Sequence, residues 1–153
     1  MKKINKTFLV TGGTGFIGSN ICRLLIDRNY KVIIYDNNSR GILNKINDIK
    51  KKITFIKGDI RDKKKLFSSI KKADAIIHLA YINGTKYFYT KPEEILDIAV
   101  KGMINIIDGC IKYKKKELYL ASSSEVYQSP NKVPTDEREM LKIPDVYNPR
   151  YSY

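Results

Sequence analysis

The run Thr7-Phe8-Leu9-Val10 passes directly into Thr11-Gly12-Gly13-Thr14-Gly15-Phe16-Ile17-Gly18. A short apolar run of this kind reads as a buried strand. After the glycines, Ile17, Ile21, Leu24 and Leu25 recur at helical spacing through residues 16–29. Strand, glycine loop and helix in immediate succession leave few folds open, because that order opens a βαβ unit. Glycines 13, 15 and 18 satisfy G-x-G-x-x-G, and glycines 12, 15 and 18 satisfy the wider G-x-x-G-x-x-G. In such a loop the first glycines make the tight turn, Gly15 lets the backbone approach a pyrophosphate, and Gly18 lets helix and strand pack closely. The helix start adds free N–H groups and the positive end of a dipole. Gly12, Gly13, Thr14, Gly15, Phe16 and Ile17 are therefore the expected pyrophosphate site.

The same alternation continues along the chain. Residues 31–35 (KVIIY) form a second predicted strand, closed by Asp36-Asn37-Asn38, which is turn chemistry. A weak helix is expected over 42–50, a third strand over 53–56 ending at Gly58, and a helix capped by Asp62 that carries Leu66, Phe67 and Ile70. A fourth strand over 75–79 leads to a tyrosine-rich loop. Pro92 then opens a long helix to about Tyr113, and 118–121 is a fifth strand. Residues 128–150 contain four prolines and little periodicity, and are expected to be loop. Every strand is a continuous apolar run, the pattern of a parallel sheet covered on both faces. The expected fold is α/β, a doubly wound parallel sheet of the Rossmann type in three α/β/α layers, with strand order 3-2-1-4-5 and one domain over 1–153. The helices after strands one and four should lie on opposite faces.

Asp36 closes the second strand 18 residues after Gly18. An acid about 20 residues on is placed to bond the ribose hydroxyls of NAD and to disfavour the 2′-phosphate of NADP. Arg40 stands close by.

Composition excludes several classes. The chain has 153 residues, 42% hydrophobic and 29% charged, which suits one ordinary globular domain. Two cysteines cannot form a disulfide framework, so a reduced, cytoplasmic setting is expected. No apolar run approaches the roughly 20 residues of a membrane span. The net charge of +13 is a cue for nucleic acid. The lysine runs 50–52, 63–65, 71–72 and 114–116 nevertheless fall near the ends of different predicted elements, so a generally basic surface and no nucleic-acid partner is the expectation. His78 is the only histidine; with no cluster of partners it is expected to be structural and not a metal ligand, and no metal is expected.

Taken with its later motifs, the chain resembles the extended short-chain dehydrogenase/reductase family, the nucleotide-sugar epimerases and dehydratases. Residues 11–18 match its T-G-x-x-G-x-x-G, Asp36-Asn37 its acid after strand two, and Gly58-Asp59-Ile60-Arg61-Asp62 its G-D-I-R-D. His78-Leu79-Ala80 matches its H-L-A, and Ser122 to Tyr127 its S-S/T-S-x-V-Y. The resemblance implies NAD as cofactor, with Asp59 and Ile60 at the adenine and Leu79 and Ala80 on the nicotinamide side. It implies transient oxidation of a nucleotide-sugar hydroxyl, with Ser123 bonding the substrate oxygen. Glu125 falls where dehydratases and decarboxylases carry a glutamate. The family's base is a tyrosine with a lysine four residues later; Asn148 to Tyr153 resembles the segment at that tyrosine, which makes Tyr153 the match and puts the lysine past residue 153. The expectation is therefore an N-terminal piece without its substrate domain, inactive alone, and a homodimer in full-length form. Gln128 and Ala99 depart from the family's usual glycine and asparagine. A non-catalytic dinucleotide-binding module or partner subunit is the alternative reading.

Overall fold

The structure, a computed structural model, describes residues 6–115, 117–143, 145 and 147. Among these residues five parallel strands are present: β1 (Thr7–Thr11), β2 (Lys31–Asp36), β3 (Ile53–Lys57), β4 (Ala75–His78) and β5 (Glu117–Leu120), in the order β3-β2-β1-β4-β5. The helices are α1 (Phe16–Asp27), α2 (Lys63–Lys71), α3 (Thr85–Thr90) and α4 (Pro92–Lys112).

The alternation of side chains along each strand divides the core in two. Leu9, Ile33, Tyr35 and Ile76 point to one face and pack with Leu66 and Ile70 of α2 and Ile98 and Ile106 of α4. Val10, Val32 and Ile34 point to the other, against Cys22 and Leu25 of α1 and Ile46 and Ile49. The helices that follow β1 and β4 thus lie on opposite faces, as right-handed crossovers reversing at the centre of the sheet require. Burial on both faces explains why β1 and β2 read as unbroken apolar runs.

The capping signals act where expected. The Asp62 side chain accepts from the Lys65 N–H at the start of α2, and Pro92 occupies the first turn of α4. Three segments differ. Residues Leu43–Lys52 wind as a 3₁₀ helix, with Lys45 N–H bonded to the Ile42 carbonyl. The tyrosine-rich loop contains α3, six residues anchored by the buried Phe88 and too short to show a period. β5 is not buried on both faces: among the described residues it pairs only with β4, and Tyr119 and Leu120 are each 53% exposed. An edge strand lacks one neighbour, and its apolar residues do not by themselves guarantee cover.

Register places the functional end. Thr11 pairs with Tyr35 and with His78, and His78 pairs with Leu120. The carboxyl ends of β1, β2, β4 and β5 are therefore level, at the edge where ligands of open α/β sheets sit.

Candidate functional site at the carboxyl edge of the sheet

Beyond that edge lies an open cleft. Of the expected residues, Gly12, Gly15, Asp36, Asn37, Asp59, Ile60, Leu79 and Ala80 line it. Gly13 and Thr14 are buried behind it, and the side chains of Phe16 and Ile17 are exposed at the start of α1. Ser39, Arg40, Gly41, Tyr81 and Ile82 also line the cleft and carried no motif.

Gly12 is fixed by the chain itself. Its φ is +72°, and a Cβ there would sit 2.9 Å from the backbone of Leu79 and Ala80. Gly15 is different. Its backbone is ordinary extended (φ −72°), and an added Cβ would meet only the Gly12 carbonyl oxygen, at 3.2 Å, within 4 Å. The fold does not demand a glycine at 15; a close-lying ligand would. Helix α1 begins one residue on, with no side-chain cap and no acid in its first turn. Helix geometry leaves the N–H groups of Phe16, Ile17 and Gly18 without a carbonyl inside the helix. That end suits a diphosphate.

Asp36 is buried, 8% exposed, and carries the loop. Its Oδ2 accepts from the Thr14 N–H (3.0 Å) and the Thr14 hydroxyl (2.6 Å), and its Oδ1 accepts from the Asn38 N–H (2.8 Å). A carboxylate has about four acceptor positions, so one remains on Oδ1 for a ribose hydroxyl. The neighbouring Asn38 Oδ1 is buried with no hydrogen-bond donor among the described residues. An open cradle at Gly15, an uncapped helix start, a free position on Asp36 and an orphaned acceptor beside it fit the dinucleotide that the resemblance implies.

Asp59 stands across the cleft from the glycine loop's strand, held by its own turn. The fork of Arg61 grips both oxygens (Nε to Oδ1 3.0 Å, Nη2 to Oδ2 2.8 Å), and this pairing holds the carboxyl down to about 2. Ile60 is buried under α4, where Asn105 Nδ2 donates to the Ile60 carbonyl (3.0 Å) and the Arg61 carbonyl (3.2 Å). The Tyr35 hydroxyl donates to the Asp59 carbonyl at 2.9 Å. Sequence reasoning missed Asn105 and Tyr35. A polar residue in the apolar stripe of a helix, and a tyrosine at a strand end, are the signals that both need buried partners.

His78 is structural in this arrangement. Its Nδ1 lies 2.7 Å from the Thr11 hydroxyl, which also accepts from the N–H groups of Leu79 and Ala80 (both 3.2 Å). Those two donors take the hydroxyl's lone pairs, so its proton goes to Nδ1 and the ring carries its own proton on Nε2. Burial pushes the imidazole down to about 4. The folded value lies below the unfolded one near 6.5, so the stability is whole above 6.5 and declines as pH falls toward 4, by about 3 kcal/mol in all. Because the chain has one histidine, NMR of its ring should report no protonation between pH 8 and 5. A midpoint above 6 would contradict the buried Thr11–His78 bond.

After β5, Ser123 and Glu125 come together: the Ser123 Oγ caps a 3₁₀ turn (Ser124–Tyr127), accepts from the Glu125 N–H at 3.3 Å and donates to Glu125 Oε2 at 3.4 Å. They lie at the same edge of the sheet but do not line the cleft. Tyr153 lies outside the described residues. The buried Cys22, its thiol pushed up to about 12 by burial, is no nucleophile. Among the described residues no three His, Cys, Asp or Glu gather as a metal site, and no helix is long and apolar enough to cross a membrane.

Comparison with known proteins agrees with this geometry. The model of the NAD dependent epimerase/dehydratase family matches residues 8–153. A putative UDP-glucose 4-epimerase of Methanocaldococcus jannaschii is 42% identical, the match covering 87% of this chain and 43% of that protein. A UDP-N-acetyl-alpha-D-glucosaminuronate decarboxylase of Bacillus cytotoxicus is 36% identical, over 81% of this chain and 38% of that one. The crystal structure of UDP-glucose 4-epimerase from Brucella ovis in complex with NAD superposes with a TM-score of 0.83 at 28% identity, covering 95% of this chain and 43% of that one. The chain thus spans less than half the length of these relatives.

Proposed function

This chain belongs to the NAD dependent epimerase/dehydratase family, and on that premise we propose that it is the NAD-binding part of an enzyme acting on a nucleotide sugar, of the epimerase, dehydratase or decarboxylase kind. The observation that carries the reading is the cleft itself: glycine loop, uncapped α1 and Asp36 converge at the point where the strand order reverses between β1 and β4. Gly12 to Ile17 hold the pyrophosphate, Asp36 and Asn37 the adenosine ribose, Asp59 and Ile60 the adenine, and Leu79 and Ala80 flank the nicotinamide. When bound, NAD supplies a hydride acceptor for the sugar carbon. Ser123 holds the substrate oxygen. Its contact to Glu125 Oε2 is long, 3.4 Å, and gives way, so the Ser123 hydroxyl donates to the substrate oxygen and leaves that oxygen's own proton for the base. Tyr153 takes that proton.

The same reading pairs two copies through α4, whose Leu96, Val100, Ile104, Ile107 and Ile111 form an exposed apolar stripe. Glu93 and Glu94 mark one end of that helix and Lys112 the other, so an antiparallel pair sets opposite charges together.

Calorimetric titration with NAD and NADP tests the cofactor reading. Asp36→Ala is an ambiguous probe, since it also frees Thr14 and Asn38, so the ligand is varied instead. NAD should bind at least about tenfold more tightly than NADP, because a 2′-phosphate meets the Asp36 carboxylate. Equal affinity would remove Asp36 from the ribose, and binding of neither would remove the cofactor.

A further inference from the structure

The Asp59 carboxylate has no acceptor position left. Its Oδ1 accepts from the Arg61 N–H (2.9 Å) and Arg61 Nε (3.0 Å), and its Oδ2 from Arg61 Nη2 (2.8 Å) and Asn37 Nδ2 (3.2 Å). Four donors fill about four lone-pair sites. An adenine amine, which the reading above brings to Asp59, is accepted only if one of them leaves. The three bonds from Arg61 are the short ones, and Arg61 is tied at its far side. Its Nη1 donates to Asp97 Oδ2 of α4 at 3.0 Å, and Lys101 pairs with that same aspartate. Its carbonyl is held by the buried Asn105. The longest bond, from Asn37, is the only one that comes from another loop.

We infer that Arg61, anchored to α4 through Asp97, is a positioning residue that fixes the Asp59 carboxylate as an acceptor for the exocyclic amine of the base, with Asn37 yielding its place, so that the cleft selects a 6-aminopurine dinucleotide over a 6-oxopurine one. The inference rests on the reading of Asp59 at the adenine. A planar guanidinium fork holds both oxygens in one orientation, which a point charge does not. So held, the carboxylate can neither rotate away from a 6-oxo group nor take up a proton to accommodate it, and two acceptors then face each other. Released from the fork, it can do both.

The test is equilibrium titration of the 153-residue chain with NAD and with nicotinamide hypoxanthine dinucleotide. The unaltered chain should prefer NAD by about 10- to 100-fold, the range of one lost and one opposed hydrogen bond. Arg61→Gln should bring the two affinities within about threefold of each other, and Arg61→Lys should fall between. Asp97→Ala removes the acceptor of Arg61 Nη1 and keeps the fork, so it should narrow the ratio even if Arg61→Gln does not fold. Arg61→Gln or Asp97→Ala weakening both dinucleotides by one common factor would make Arg61 merely structural and overturn the inference, while leaving adenine at Asp59. No preference in the unaltered chain would remove adenine from Asp59 and the inference with it.

Discussion

Replacing Thr11 by valine should destabilise the fold by about 2–4 kcal/mol, although the two side chains have nearly the same shape. Thr11 is fully buried. Its hydroxyl is the shared partner of His78 Nδ1 and of the Leu79 and Ala80 N–H groups. Leu79 keeps a second acceptor in the Thr11 carbonyl at 3.2 Å, so the substitution strands the buried imidazole nitrogen and the part-buried Ala80 N–H. Each unmet polar group costs about 1–3 kcal/mol. Thr11→Ser keeps the hydroxyl and loses one buried methyl, a loss of about 1 kcal/mol. Urea denaturation with an unchanged slope should therefore rank the variants parent, serine, valine. A valine variant as stable as the parent would mean that water or another donor already serves the strand end.

A second expected result separates the two kinds of glycine in the loop. Gly15→Val should cost the fold only about 1–2 kcal/mol, since the backbone there is extended and the added Cβ meets one backbone atom, the Gly12 carbonyl oxygen at 3.2 Å, at a helix N-cap. Its affinity for NAD should nevertheless fall by at least about 100-fold, because the added carbons occupy the place of the phosphates over the start of α1. Gly12→Val should fail in both respects. A side chain at φ +72° is strained, and its Cβ lies 2.9 Å from the backbone that follows β4. Paired thermal melts and NAD titrations distinguish the cases. A Gly15→Val chain that folds and binds NAD undiminished would move the pyrophosphate away from this loop.

Much of the architecture was legible because its signals are local. The strand–glycine–helix order, Asp62 before α2 and Pro92 at α4 each act within one turn of chain, and each is realised. The strand order followed from the doubly wound pattern that the glycine loop announces, and the helix faces from a handedness rule that needs no side-chain detail. What stayed hidden depends on contacts across the chain. Asn105 is 44 or 45 residues from the carbonyls it serves, and Asp97 is 36 from Arg61. Nothing in the spacing of α4 marks them as partners of the loop after β3. The dual duty of Asp36 was hidden for a related reason: its position announced a ribose ligand, while its three internal bonds appear only when the loop closes on Thr14. β5 differs in another way: its apolar run says what a strand can bury, and among the described residues Tyr119 and Leu120 stay half exposed.

The level ends of the strands also determine where this chain tolerates change in length. Every cleft residue on β1, β2 and β4 lies within a few positions of the last paired residue, on the side of Thr11, Asp36 and His78. An extra residue inside one of these strands shifts everything after it by about 3.3 Å and turns each side chain to the opposite face. The turns at the other edge, around Asn29, Ala73 and Lys114, join helices back to strands before the pairing begins. Their length does not enter the register. Insertions drift harmlessly through one rim of the sheet and are lethal to the other, which makes the amino-terminal rim the place to attach a tag, a linker or a second domain.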